Sequence, residues 1–144
     1  MTPDGRHFMG YGKRTQKEAA SYLSDILGSD VTPLELIDPY YYHLDTAFSP
    51  LTDDIALYNP RSFTEVGRQT LSDSFTTLIE TSEEDNRYMA PNLLRHNNNL
   101  VMAEGISDSL KQTLAGHGFT VHTVATSEFL KGGGSIKCLS LQIH

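Results

Sequence analysis

Cysteine is almost missing from this chain: Cys138 is the only one among 144 residues. A lone thiol excludes an internal disulfide and a zinc site built from cysteines, so packing must hold the fold and an intracellular setting is expected. Long hydrophobic runs are missing too. No stretch approaches the roughly 20 apolar residues of a membrane span, and Met1-Thr2-Pro3-Asp4-Gly5-Arg6 has no apolar signal segment. These features predict a cytoplasmic protein with no membrane partner. Positive charge is also scarce, with 11 Lys and Arg against 18 Asp and Glu, a net charge of −7 and a pI near 5.2. The basic residues are scattered rather than gathered into a stripe, which argues against a nucleic-acid partner. A cationic or zwitterionic small molecule fits the charge better, and the length suits one domain with a real core.

What is present is a repeated order of elements. Phe8-Met9-Gly10-Tyr11 reads as a strand, Gln16 to Leu27 as a helix and Val31 to Ile37 as a second strand, with Thr15 and Glu18 as a capping box and Gly28 as the stop. The order returns as strand Ile55 to Tyr58, a helix capped by Ser62 and Glu65, and strand Phe75 to Glu80. It returns again as Leu100 to Ala103, a helix capped by Ser107 and ended at Gly116 and Gly118, and strand Phe119 to Val124. The predicted caps at 15, 62 and 107 are spaced like supersecondary units stacked in a propeller or array. Chance similarity within an ordinary α/β chain is the competing explanation. Units of about 8–50, 51–97 and 98–144 in one domain follow from the repeat.

Each unit ends in a segment with chemically useful residues: Tyr42-His43-Leu44-Asp45, Ala90-Pro91-Asn92-Leu93 and Ile136-Lys137-Cys138-Leu139. His43, Asn92 and Cys138 fall at nearly the same distance from their caps, so units related by rotation would bring them together. Read as a strand, residues 42–45 point His43 and Asp45 to one face, as a proton shuttle beside an anion that binds a cation. A structural His–Asp pair at the surface is the alternative. Cys138 follows Gly132-Gly133-Gly134 and opens what reads as an alternating strand, where a glycine turn admits a ligand closely. A small buried apolar side chain is the other reading of a free cysteine. His7, His96, His117, His122 and the terminal His144 have no partners at metal-ligand spacing, so neither a metal nor a cofactor is expected.

Gly10-Tyr11-Gly12-Lys13-Arg14-Thr15, then His43-Leu44-Asp45, then the stretch from Glu128 through the three glycines to Leu141 together resemble the guanidine-modifying enzymes. These are the amidinotransferases, arginine deiminases and dimethylarginine dimethylaminohydrolases. The resemblance extends over essentially the whole chain. It implies an α/β fold, a partial pentein with about three ββαβ-type units of a five-unit α/β propeller, corresponding to its C-terminal part. It also implies Cys138 as covalent nucleophile, His43 as general acid/base, Asp45 as guanidinium-binding carboxylate and Arg14 as a partner for the substrate α-carboxylate. The implied partner is a guanidino compound such as arginine or methylarginine.

A guanidinium is delocalised and cationic, so attack at its carbon requires a thiolate, a proton for the departing amine and carboxylates that localise charge. The family's further acids fall before the matching region, and Asp4 is the sole carboxylate before Arg14. Loss of such an acid is expected to cost about 10²–10⁴ in rate. An unclosed ring leaves strand edges unpaired, so a homo-oligomer, dimer or higher, is expected. A non-catalytic binding or assembly module on the half-propeller is the alternative function.

Overall fold

A computed structural model describes residues 1–141; Gln142, Ile143 and His144 lie outside the described residues. Strand β1 (His7–Tyr11), helix α1 (Ala19–Leu27) and strand β2 (Val31–Glu35) form a parallel pair with a helical crossover, His7 opposite Val31 and Tyr11 opposite Glu35. A short helix, α2 (Leu44–Ala47), leads into β3 (Phe48–Pro50), which turns back against β4 (Ile55–Tyr58). Helix α3 (Glu65–Ser74) then carries the chain to β5 (Thr77–Glu80), parallel to β4. After the single turn α4 (Glu83–Asn86), the pattern is repeated by β6 (Leu94–His96), β7 (Asn99–Ala103), α5 (Asp108–Gly116) and β8 (Thr120–Val124). Helix α6 (Ser127–Leu130) and a 3-10 turn at Lys137–Leu139 follow.

Among the described residues, two of the three sheets therefore share one plan: an antiparallel strand, a central strand, a crossover helix and a parallel strand. The expected α/β repeat is present, with β3 and β6 pairing forward onto the strands that follow them. Among the described residues, the first sheet holds only the parallel pair.

Strand alternation explains how the sheets stack. In β4, Ala56 and Tyr58 enter one core while Leu57 between them enters the next. The first core joins Leu34, Phe48, Phe63, Leu71 and Phe75, with the Phe8, Phe48 and Phe75 rings 5.4–5.7 Å apart. The second joins Leu57, Ile79, Leu100, Met102, Leu110 and Leu114. The middle sheet is thus covered on both faces. Helix α1 is covered poorly: it buries Ala20 and leaves Tyr22, Leu23, Ile26 and Leu27 exposed.

Four local expectations require correction. Thr15 does not cap a helix, because its carbonyl accepts the Gly12 N–H at 2.8 Å and closes a tight turn, and α1 begins only at Ala19. Ser62 is taken into a 3-10 turn that Pro60 begins, and the cap of α3 is Thr64, whose hydroxyl accepts the Gly67 N–H. His43 and Asp45 are not two positions of a strand: His43 is the extended residue before α2, and Asp45 lies in its first turn. Cys138 sits in the 3-10 turn rather than a strand, since the backbone N–H groups of Ser135 and Cys138 are claimed by Asn92. Ser107, by contrast, caps α5 as expected, and Gly28 ends α1 in the left-handed region at φ +64°.

Buried Asp85 ties α4 to the start of α5. It completes a capping box with Ser82 at α4 and accepts the Ser107 N–H, just before α5, at 2.7 Å. Burial opposes its charge, but the hydrogen bonds from Ser82 and Ser107 prevail and hold its carboxyl below the usual range. A depressed carboxyl stabilises the fold fully above the unfolded value of about 3.9, and this contribution disappears as pH falls through the folded value. Asp85→Asn should therefore lower stability by about 1–3 kcal/mol at neutral pH. In denaturant melts at stepped pH, the gap from wild type should shrink below about pH 4; a constant gap down to pH 2 would show that charge is not involved.

Candidate active site

Three of the segments singled out in the sequence meet at one point. Asp45 comes from α2, Asn92 from the irregular stretch between α4 and β6, and Cys138 from the last turn. Asn92 is 1 % exposed. Its Oδ1 accepts the backbone N–H of Ser135 at 3.0 Å and of Cys138 at 3.4 Å, which fixes the opposite end of the carboxamide as the donor. That Nδ2 donates to the Asp45 carbonyl at 3.0 Å, to Asp45 Oδ2 at 3.3 Å and to Cys138 Sγ at 3.3 Å. The thiol itself points to Asp45 Oδ2 at 3.6 Å. A carboxylate and the chain's single thiol thus meet over a buried amide, and Cys138 is exposed rather than buried in the core.

The glycines before Cys138 have a steric reason. A Cβ on Gly134 would lie 3.1 Å from Cys138 Cβ and 3.3 Å from Sγ, and one on Gly133, at φ +82°, would lie 3.0 Å from the Tyr42 hydroxyl. Tyr42 links the remaining two candidates. The Arg14 guanidinium lies over its ring at 4.8 Å from the centroid, and the His43 imidazole stands edge-on to it at 4.8 Å. No local pattern in the sequence marks Tyr42 for chemistry; its neighbour His43 is the signal at that place.

His43 is exposed, and among the described residues no hydrogen bond joins it to Cys138 or Asp45. Asp45 faces two ways. Besides touching the thiol, it lines a cleft of about 460 Å³ together with Phe8, Leu44, Phe48, Pro91 and Lys137, whose walls include neither Cys138 nor His43. Among the described residues no helix is long and apolar enough to cross a membrane.

No family model matches the chain. It is 37% identical over 139 residues to the N(G),N(G)-dimethylarginine dimethylaminohydrolase of Mycobacterium tuberculosis, covering 96% of this chain and 46% of that one. Among solved structures, the N-terminal domain of ArgZ, a cyanobacterial arginine dihydrolase, matches with a TM-score of 0.92 and 35% identity over 96% of this chain and 52% of that one. That crystal form is a cysteine-to-serine mutant bound to substrate. Another crystal structure of the same domain, covalently bound to a reaction intermediate, matches with a TM-score of 0.91, 35% identity, and coverage of 94% of this chain and 51% of that one. The chain spans about half the length of these relatives.

Proposed function

The chain is a homologue of guanidine-modifying enzymes of the pentein superfamily, and from that premise we propose that it acts on a guanidino compound, arginine or a methylated arginine, through Cys138. The observation that carries this reading is the Asp45 carboxylate 3.6 Å from the chain's only thiol, with Asn92 bonded to both. A carboxylate there attracts the guanidinium and holds its carbon against sulfur. The relatives support hydrolysis: two are named for hydrolase activities, one is held with substrate when a cysteine is replaced, and one is caught as a covalent intermediate.

In this mechanism the Cys138 thiolate attacks the guanidino carbon. The bond from that carbon to one terminal nitrogen breaks, its electron pair stays with the nitrogen, and His43 delivers the proton that lets the amine leave. Water deprotonated by the same imidazole then adds to the thiouronium carbon, the C–S bond breaks, and citrulline departs as the thiolate is restored. Arg14, stacked on Tyr42 at 4.8 Å, is suited to receive the α-carboxylate. The chain spans about half the length of the relatives it matches, and alone it is expected to turn over slowly. Citrulline released from arginine or dimethylarginine should form well below the 1 s⁻¹ ordinary for an enzyme, and only with Cys138 intact. Citrulline formed equally by a Cys138→Ala variant would end this reading.

A second reading, a binding or assembly module, is favoured by one feature: Tyr22 and Ile26 on α1 are 69% and 79% exposed. Covering such a face is worth about 25 cal/mol per Å² of apolar area, so the chain is expected to form a homo-oligomer. Light scattering at micromolar concentration should give a dimer or larger; a monomer would contradict it.

A further inference from the structure

We infer that Asn92 is the positioning residue of this centre, spanning the guanidinium-binding carboxylate and the nucleophile with one amide group. The inference rests on the proposed role of Cys138 and Asp45, and adds the element that sets their separation. Asp45 and Cys138 lie 93 positions apart in the chain and come from different units. Asn92 joins them from a third place. Its position is fixed by the fold, since its N–H donates to the Met89 carbonyl at 2.7 Å and its carbonyl accepts the Lys137 N–H at 3.3 Å.

The two ends of the side chain do different work. The oxygen anchors the turn, taking the N–H groups of Ser135 and Cys138. The nitrogen places hydrogen toward Asp45 Oδ2 and Cys138 Sγ together. Two anionic groups this close repel one another, and an N–H directed at both lowers that repulsion without occupying the face where a substrate would sit. A buried amide with both ends engaged has little freedom to turn away. Asn92 touches no reacting atom of the substrate in this scheme; it acts through Cys138 and Asp45.

The test uses the 144-residue chain and two alkylating reagents, neutral iodoacetamide and cationic 2-bromoethylammonium. Each rate is divided by that for mercaptoethanol. Wild type should favour the cationic reagent about tenfold, from the Asp45 carboxylate near sulfur, and Asp45→Asn should remove the preference. Asn92→Asp keeps an oxygen for the turn but replaces the donor with charge, so iodoacetamide should react about tenfold more slowly at neutral pH while circular dichroism and the unfolding midpoint hold. Asn92→Ala should bring the cationic preference to within about twofold of unity. If either variant fails to fold, wild type still decides: the Asn92 side-chain amide signals in ¹⁵N-resolved spectra should shift when Cys138 is alkylated. Asn92 variants that keep both the rate and the preference, or amide signals indifferent to alkylation, overturn the inference and leave the proposed site standing. A wild type with no cationic preference overturns both.

Discussion

Cys138→Ser is expected to abolish covalent capture of arginine and any citrulline formation, leaving the fold unchanged. Serine is close to isosteric, and Asn92 can donate to a hydroxyl as it does to the thiol at 3.3 Å. Asp45, the Asn92 anchors on Ser135 and the stacked Arg14 and Tyr42 stay in place. Binding of arginine should therefore survive while the chemistry is lost, because an alcohol beside a carboxylate has no comparable nucleophilic form near neutral pH. Titration calorimetry on the variant separates the two: retained binding without citrulline agrees with the proposal. Loss of binding together with chemistry would mean that sulfur is a packing element.

The largest effect on stability among site-proximal changes should come from Gly12→Ala. Gly12 has φ +137°, and a Cβ there would lie 2.7 Å from the Leu36 carbonyl oxygen, a backbone atom that cannot rotate aside. The Tyr11 carbonyl accepts the Leu36 N–H at 2.9 Å, so the loop after β1 is already pressed against the end of β2. A side chain must displace one or the other. The expected cost is about 2–4 kcal/mol, a lowering of Tm by roughly 5–15 °C for a chain of this size. The same movement would lift Arg14 from Tyr42. A variant that melts with wild type would contradict the tight approach of loop and strand.

Much of the unit plan was legible because it depends on short-range signals. Ser107 and Gly28 act where the sequence puts them, since capping and left-handed glycine are decided within one turn of helix. Strand β4 occupies its predicted span, Ile55–Tyr58. Thr15 and Ser62 misled because each satisfied the same local pattern as a cap, while Gly12 and Pro60 nearby imposed tighter turns. The repeat brought His43, Asn92 and Cys138 together in expectation; in the structure Asn92 meets Cys138, while His43 contacts Tyr42 and no hydrogen bond among the described residues joins it to Cys138. The local geometry of the site was not legible. Nothing in the residues 136–141 says that a distant asparagine takes the N–H groups a strand would use. The stacking of Arg14 on Tyr42 is likewise a contact across 28 positions that no local pattern announces.

The most direct measurement is acid-quenched mass spectrometry of the intact chain after incubation with arginine or dimethylarginine, followed by peptide mapping. One adduct is expected, arginine less the departing amine, carried on Cys138, accumulating more slowly in His43→Ala and missing from Cys138→Ser. An unmodified Cys138 after prolonged incubation, in a chain whose thiol iodoacetamide modifies freely, would contradict covalent chemistry at Cys138.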